Sequence, residues 1–416
     1  MNKLFFLFIA FFIQIFPQVG WIEIHNLPTL ENFKSVRFVD SKTGWIAGEY
    51  GTIIATTNGG VSWALQTTGT LKHINSVYFT DQLFGWAVGD SGIVLQTSNG
   101  GANWVKSSFI TKTKQHLRTV FFIDKNNGWI AGDSGVVFKT TNNGLNWINC
   151  SIDSSYSINS IFFNDLNNGW LVDSRAIRRT TNSGLNWIHN ASITGLKSIF
   201  FTDFNNGWVV GSRYIPGLDI GIIYKTSNGG QNWSLQKYQP TDYYYSVYAH
   251  DSNNVWVAGN FGGILKTTDG GANWLIKRLS FNNLFYHLYS VCFSDLLHGW
   301  AVGGGGAVFK TTDGGIVFIE DETEQNNPIS FKLEQNYPNP FNPSTKIRWQ
   351  SSVSGWQTLK IYDILGNELV TLVNGEKPAG VHEVEFSFSG GLASGIYFYQ
   401  LKVREFVQTK KMMLLR

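Results

Sequence analysis

The apolar positions of this chain fall in short runs, each ended by a turn, and none continues far enough with a helical period to make a long helix. A run such as Ser35-Val36-Arg37-Phe38 leads to an Asp. A Gly-Trp pair, a Gly-containing turn, another apolar run and a second motif ending in Trp then follow. The chain passes through this order seven times. The pairs are Gly44-Trp45, Gly85-Trp86, Gly128-Trp129, Gly169-Trp170, Gly207-Trp208 and Gly299-Trp300, with Val255-Trp256 as the variant. An Asp stands four residues ahead of each: Asp40, Asp81, Asp124, Asp165, Asp203, Asp251 and Asp295. The second motif reads TTNGGVSW, TSNGGANW, TNNGLNW, TTNSGLNW, TSNGGQNW, TTDGGANW and a degraded TTDGGIVF. A period of 38 to 48 residues holds four short strands and no long helix, which predicts a four-stranded blade repeated around a closed ring. The fold class expected is all-β: a seven-bladed β-propeller, then a small Ig-like antiparallel β-sandwich.

Closure removes the unpaired edges of an open array, and the spacing predicts how it happens. The interval from Trp21 to Ser35 matches that from Trp63 to Ser76 within a residue, so Trp21 to His25 are expected to form the outer strand of the last blade. Before them, Lys3 and the apolar run Leu4 to Phe16 read as a secretory signal peptide over 1–20; about 20 apolar residues would be needed to span a bilayer, and no segment of the chain provides a transmembrane span. The propeller is placed at 21–318, a polar acidic linker at 319–330 and a β-sandwich at 331–416.

Composition narrows the function. The 416 residues carry 32 Lys plus Arg against 29 Asp plus Glu, a net charge of +3, which does not suit a protein that tracks phosphates, so no nucleic-acid partner is expected. Aromatics at 15% exclude a disordered chain. Two cysteines, Cys150 and Cys292, make neither a disulfide framework nor a cysteine zinc site. No cofactor, metal or second copy is implied, and a monomer is expected.

The second motif resembles the Asp-box repeat of bacterial neuraminidases. Thr56, Asn58, Gly60 and Trp63 match it, as do Thr267, Asp269, Gly271 and Trp274. The acid slot holds Asn58, Asn99, Asn142, Asn182 and Asn228, and keeps an acid only at Asp269 and Asp313. With the Gly-Trp strand, the region is most similar to propellers of the photosystem II assembly and stability-factor type. An Asn or Asp there is expected to accept backbone N–H groups two residues on, and Gly to supply positive φ. Fourteen of the sixteen tryptophans lie between Trp21 and Trp300. Burying about 150–250 Å² each at about 25 cal/mol per Å² is worth roughly 4–6 kcal/mol gross apiece. What recurs in every blade is thus expected to be packing, and function to lie where the repeat breaks.

By the resemblance, the box turns face away from the binding side. The turns after the Trp strand then put Glu49 and Tyr50, Asp90, Asp133, Arg175, Arg213 and Tyr214, and Asn260 and Phe261 on one rim. The loops leading into blades six and seven add Tyr238, Tyr243, Tyr244, Tyr245, Phe281, Phe285, Tyr286 and Tyr289. Blade four departs most from the repeat and brings in Arg175, Arg178 and Arg179. Rings beside a few Arg, Asp and Asn suit a glycan or protein ligand. His73, His116 and His287 read as solvated singletons.

The box resemblance also raises a sialidase-like glycoside hydrolase. Its Arg-Ile-Pro signature has one near match, Arg213-Tyr214-Ile215-Pro216, with an extra residue and in the wrong blade. Glu49, Asp90 and Asp133 are the acids placed for a two-carboxylate mechanism. The reading preferred is non-catalytic binding, with hydrolase and envelope assembly factor as the alternatives.

After the linker, Asn336-Tyr337-Pro338-Asn339-Pro340-Phe341-Asn342-Pro343, the IYDILGNE strand and turn, and Lys410-Lys411-Met412-Met413-Leu414-Leu415 resemble the type A C-terminal sorting domain of the type IX secretion system. The resemblance implies the type IX machinery as a partner through 331–416, and a product secreted or held on the surface of a Bacteroidetes-like bacterium. Trp349 and Trp356 are expected in the core of that module.

Overall fold

The computed structural model describes residues 20–107, 113–152, 155–215, 218–240, 242–315, 332–351, 355–378, 380–387, 392–403 and 406–415. The chain divides into two compact units, Met1–Val317 and Phe318–Arg416. The expected signal peptide (save Gly20) and linker lie outside the described residues.

The first unit holds seven four-stranded antiparallel sheets. Their innermost strands are Phe33–Phe38, Ile74–Phe79, Leu117–Phe122, Ile158–Phe163, Leu196–Phe201, Tyr244–Ala249 and Leu288–Phe293, taken as blades one to seven. Each packs on the innermost strand of the next blade, and blade seven packs on blade one, so the sheets form a ring. A hydroxyl stitches the inner strands: Ser35 Oγ accepts the Val77 N–H at 3.2 Å, Ser76 that of Val120 at 3.3 Å, and Ser290 that of Val36 at 3.2 Å across the closure. The two ends of the propeller segment meet in blade seven. Trp21–Glu23 pairs with Val308–Thr311, Trp21 opposite Thr311, and the Gly20 N–H donates to the Asp313 carboxylate at 2.6 Å. The closing strand is as expected but shorter, since beyond Glu23 the ladder continues only through Ile24 N–H to the Val308 carbonyl.

The tryptophans of the Gly-Trp pairs lie between blades. Trp45 stacks face to face on Phe79 of blade two, Trp86 on Phe122, Trp129 on Phe163, and Trp300 on Phe38 across the closure, with centroids 3.4 to 3.6 Å apart. Each Phe also takes the edge of its own box tryptophan, as Phe38 does with Trp63 (5.9 Å, 88°) and Phe79 with Trp104 (5.8 Å, 87°). For Phe293 in blade seven that edge comes from Trp21 (5.7 Å, 83°), so the first residues of the propeller replace the tryptophan that the degraded seventh box lacks.

The glycine of Gly-Trp follows from the same ring. A Cβ on Gly85 would come 2.4 Å from the Phe79 ring, far inside contact distance. Blade six is the exception that explains the rule: it carries Val255 where the others have Gly, and Ala249 where they have Phe. Removing the ring opens the space that the valine fills. Both Val255 and Ala249 are buried.

The turns before the Trp strands are capped as the sequence indicates. Asp40 Oδ1 accepts the Lys42 and Thr43 N–H groups at 2.7 and 2.6 Å, and Asp295 those of Leu297 and His298 at 2.8 Å each. Among the described box turns Asp313 meets the expectation, its Oδ1 accepting the Gly315 N–H at 3.0 Å, and the others differ. Asn58 Oδ1 takes the N–H four residues on, from Ser62 (3.0 Å), while the Thr56 hydroxyl accepts those of Asn58 and Gly60 at 3.3 and 2.9 Å. The box needs only one accepting oxygen at this slot, so Asn99, Asn142, Asn182 and Asn228 serve as Asp269 does.

The second unit has two antiparallel sheets, one of Lys332–Leu333, Ser344–Ser351 and Gly380–Ser387, the other of Glu368–Lys377, Gly355–Tyr362, Gly395–Val403 and Phe406–Leu414. They share one core around Trp349, Leu359, Ile361, Tyr399 and Leu401. The Tyr399 hydroxyl donates to the Glu334 carbonyl at 2.7 Å and accepts the Asn336 N–H at 2.8 Å, pinning the start of the proline-rich segment. Trp356 is not in this core. It is 59% exposed, because in an alternating strand it points to the side opposite Gln357, Leu359 and Ile361.

The Phe–Gly relation is directly testable. Gly85→Val is expected to cost about 1–3 kcal/mol by overpacking. Adding Phe79→Ala, which recreates the blade-six pair, is expected to make the double variant less unstable than the two single losses summed, by about 0.5–3 kcal/mol. Denaturant unfolding of the four proteins measures this.

Candidate functional site

Each innermost strand carries one irregularity at the same place. Pairing with the second strand jumps from Phe33 to Ser35 in blade one, from Ile74 to Ser76 in blade two, and likewise in the other five. The skipped residues are Lys34, Asn75, Arg118, Asn159, Lys197, Tyr245 and Tyr289. A β-bulge leaves its extra residue outside the ladder and re-aims its side chain. Here seven bulges around a ring send seven side chains to the axis, where all of them line one cavity of about 510 Å³ together with Glu49, Asp90 and His116.

The wall is polar on one side and aromatic on the other. Glu49 accepts from Asn32 Nδ2 at 2.9 Å and lies 3.8 Å from the Lys34 ammonium, which also donates to Asn75 at 3.2 Å. Asp90 takes Asn75 Nδ2 and His116 Nδ1, both at 2.9 Å. Burial pushes the Asp90 carboxyl up, but the Asn75 and His116 hydrogen bonds and the His116 and Lys34 charges outweigh it and hold it below the usual carboxylate range. Asp133 behind the wall behaves alike: burial is outweighed by its bonds from Arg118 and Ser157 and by the Arg118 charge. Among the described residues Lys197 has no carboxylate partner; burial and the neighbouring Arg118 charge both lower its pKa. Across from these, Tyr245 and Tyr289 meet edge to face at 5.3 Å, and burial, then Tyr289 and Tyr243, push the Tyr245 hydroxyl up to about 12. Among the described residues no three His, Cys, Asp or Glu side chains gather as a metal site.

A bulge-lined cavity on the axis of a ring with these motifs can be compared with known proteins. The family model described as photosynthesis system II assembly factor YCF48 matches residues 16–109, 66–195 and 191–284, together more than half of the chain. The chain belongs to the YCF48 family. The model of the secretion system C-terminal sorting domain matches residues 335–415, so this YCF48-family propeller carries a type IX export tail. No curated protein matches. Among solved structures, one titled "YCF48 bound to D1 peptide" is 21% identical with a TM-score of 0.59, covering 71% of this chain and 98% of that one. YCF48 from Cyanidioschyzon merolae is also 21% identical, with a TM-score of 0.57 over 70% of this chain and 98% of that one. An ancestral GH74 enzyme is 14% identical with a TM-score of 0.55, over 95% of this chain and 63% of that one. At these identities the likenesses to solved structures show the fold.

In this YCF48-family member the rim residues expected from sequence do not form one site. Glu49 and Asp90 wall the cavity and Asp133 orients its Arg118. Arg175 lies over the Tyr156 ring at 4.5 Å, Arg178 pairs with buried Asp173 at 2.9 Å, and Arg179 covers Trp170 at 5.6 Å, as Lys139 does Trp129 in blade three. Arg213 and exposed Tyr214 sit on the extension of blade five, whose middle strands run Gly207–Ile215 and Leu218–Thr226. Tyr243 donates to Asp219 of the same extension. Phe261 is an exposed loop tip, and Tyr286 is half-buried against Phe281 and Gly305. Tyr244 is a correction: it is 1% exposed, occupying the buried position before the bulge and donating to buried Asp242, which also binds Arg278. Nor are the histidines unrelated. His73, His116 and His287 each directly precede an inner strand and hold the preceding blade's loop tip, through Tyr50 N–H (3.1 Å), Asp90 (2.9 Å) and Phe261 N–H (3.4 Å). Sequence reading passed over Lys34, Asn75, Arg118, Asn159 and Lys197. Their signal is one position per repeat that varies between a constant apolar residue and a constant Ser or Thr.

The electrostatics give a signed expectation. Asp90 and Asp133, held below the ordinary 3.8, contribute stability that is present above pH 3.8 and lost as pH falls through their lowered values. In a carboxyl NMR titration both are expected to protonate below 3.8. Arg118→Ala should move Asp133 upward, because its burial is then less opposed.

Proposed function

We propose that the protein is an exported, monomeric, non-catalytic recognition propeller that captures a segment of another protein over its axial cavity. The observation that carries this reading is the bulge ring: seven blades with one scaffold deliver Lys, Asn, Arg, Asn, Lys, Tyr and Tyr to a single concave surface. Repetition serves packing, and this one varied position serves recognition. The cavity holds about 510 Å³, room for a few side chains. A relative in the same fold, YCF48, has been solved bound to a D1 peptide, which supports a polypeptide ligand. The sorting tail supports an encounter outside the cell or on its surface. If the partner is itself an envelope protein, the role is one of assembly, in keeping with the family's description.

A hydrolase is the second reading, because Glu49 and Asp90 wall one cavity and a GH74 enzyme shares the fold. Against it, Asp90 is tied to His116 and Asn75 and held low, whereas a general acid needs a raised pKa. Peptide and glycan arrays probed with the full chain, with hydrolysis assays on glucan and sialyl substrates, decide between them. Peptide binding without turnover is expected. Turnover lost in Asp90→Asn, or binding to glycans alone, would overturn the proposal.

A further inference from the structure

Two loop tips hold aromatic residues where the backbone disfavours them. Tyr50 and Phe261 have φ of 52° and 49° at the position that Ser91, Ser134 and Gly305 occupy in other blades. The left-handed region is costly for a large side chain and is kept where something else requires it. Burial is not the reason, since Tyr50 is 57% and Phe261 53% exposed. Phe261 is moreover the outer end of a continuous aromatic track. Its ring lies 5.6 Å from that of His287, which leads into a triangle of rings in the cavity wall: His287 lies 5.9 Å from Tyr245 and 6.2 Å from Tyr289, and Tyr245 lies 5.3 Å from Tyr289. At about 3.3 Å per residue, roughly three or four extended residues cover these rings. In the same cavity, on the blade next to that of Tyr245, stands Lys197, which among the described residues has no acidic partner and lies near the Arg118 charge.

We infer that Phe261, His287, Tyr245 and Tyr289 form the apolar track of the ligand site, and that its ligand is an extended polypeptide segment with an aromatic or branched apolar side chain at one end and a carboxylate at the other, received by Lys197. The inference rests on the recognition reading above and adds the chemistry of the segment. Charge complementarity selects the acidic end, and the exposed ring at a strained tip selects the apolar one.

Fluorescence anisotropy of the full chain with labelled, C-terminally amidated Phe-Gly-Ser-Gly-Ser-Asp tests it. Controls replace Phe by Ser, or Asp by Asn, and one carries Asn with a free C-terminal carboxylate, which separates a side-chain acid from a chain end. The Phe and the carboxylate are each expected to matter by about tenfold or more in Kd. Phe261→Gly should weaken the parent peptide by about tenfold while leaving the thermal midpoint unchanged or higher, because glycine adopts this φ freely. Phe261→Tyr should keep binding, and Lys197→Gln should bind the acidic and uncharged peptides alike. Peptide binding indifferent to Phe261→Gly and to the acid overturns this inference and leaves recognition standing. If no peptide on the arrays or in solution binds below about 1 mM, both fall.

Discussion

A phenylalanine held between two tryptophans is the contact on which this propeller depends. In most blades one indole lies flat on the ring from the preceding blade and a second meets its edge from the blade's own box. The first contact joins neighbours; the second ties each outer turn to its inner strand. Because the ring is closed, the set has no free end except where the chain begins and stops. There Trp21 provides the edge for Phe293 while Trp300 stacks on Phe38. Glycine ahead of the stacked tryptophan goes with the Phe that ends the same blade's inner strand, and the joint change to Val255 and Ala249 in blade six accords with this.

A scaffold so uniform leaves few places for individuality, and the bulge is one of them. It removes one residue per inner strand from the ladder, so that residue can change without disturbing pairing or the interblade contacts. The face thereby gathers cations, amides and tyrosines at one point while the Ser residues beside them keep stitching the blades. The loop tips belong to the same economy, each bonded to the residue that leads into the next blade. The opposite face carries the Asp-capped and box turns, where each cap oxygen accepts backbone N–H groups of its own turn.

Much of the fold was legible because it is written in tryptophan and glycine at fixed offsets. The closing strand was legible from spacing alone. The site was less so, for reasons of phase. A bulge has no compositional mark, and around it a one-residue shift decides which side chain faces the axis. Tyr244 and Tyr245 are adjacent and alike in sequence, yet one is buried against Asp242 and the other lines the cavity. The arginines of blade four misled because only the structure reveals that Arg179 takes the place over tryptophan that lysine takes elsewhere. Trp356 misled in the opposite sense, as an aromatic on the outer side of a strand.

The most direct test of the account compares Trp21→Ala with Trp63→Ala by denaturant unfolding. Both remove an edge tryptophan; truncating a buried one such as Trp21 costs about 3–5 kcal/mol, and Trp63 is only half-buried. Since Trp21 also anchors the strand that joins the chain's beginning to its last blade, its loss should be at least as large as that of Trp63. A Trp21→Ala protein as stable as the parent would contradict closure by the Trp21 strand, and with it the claim that the seven bulges are held to a common axis.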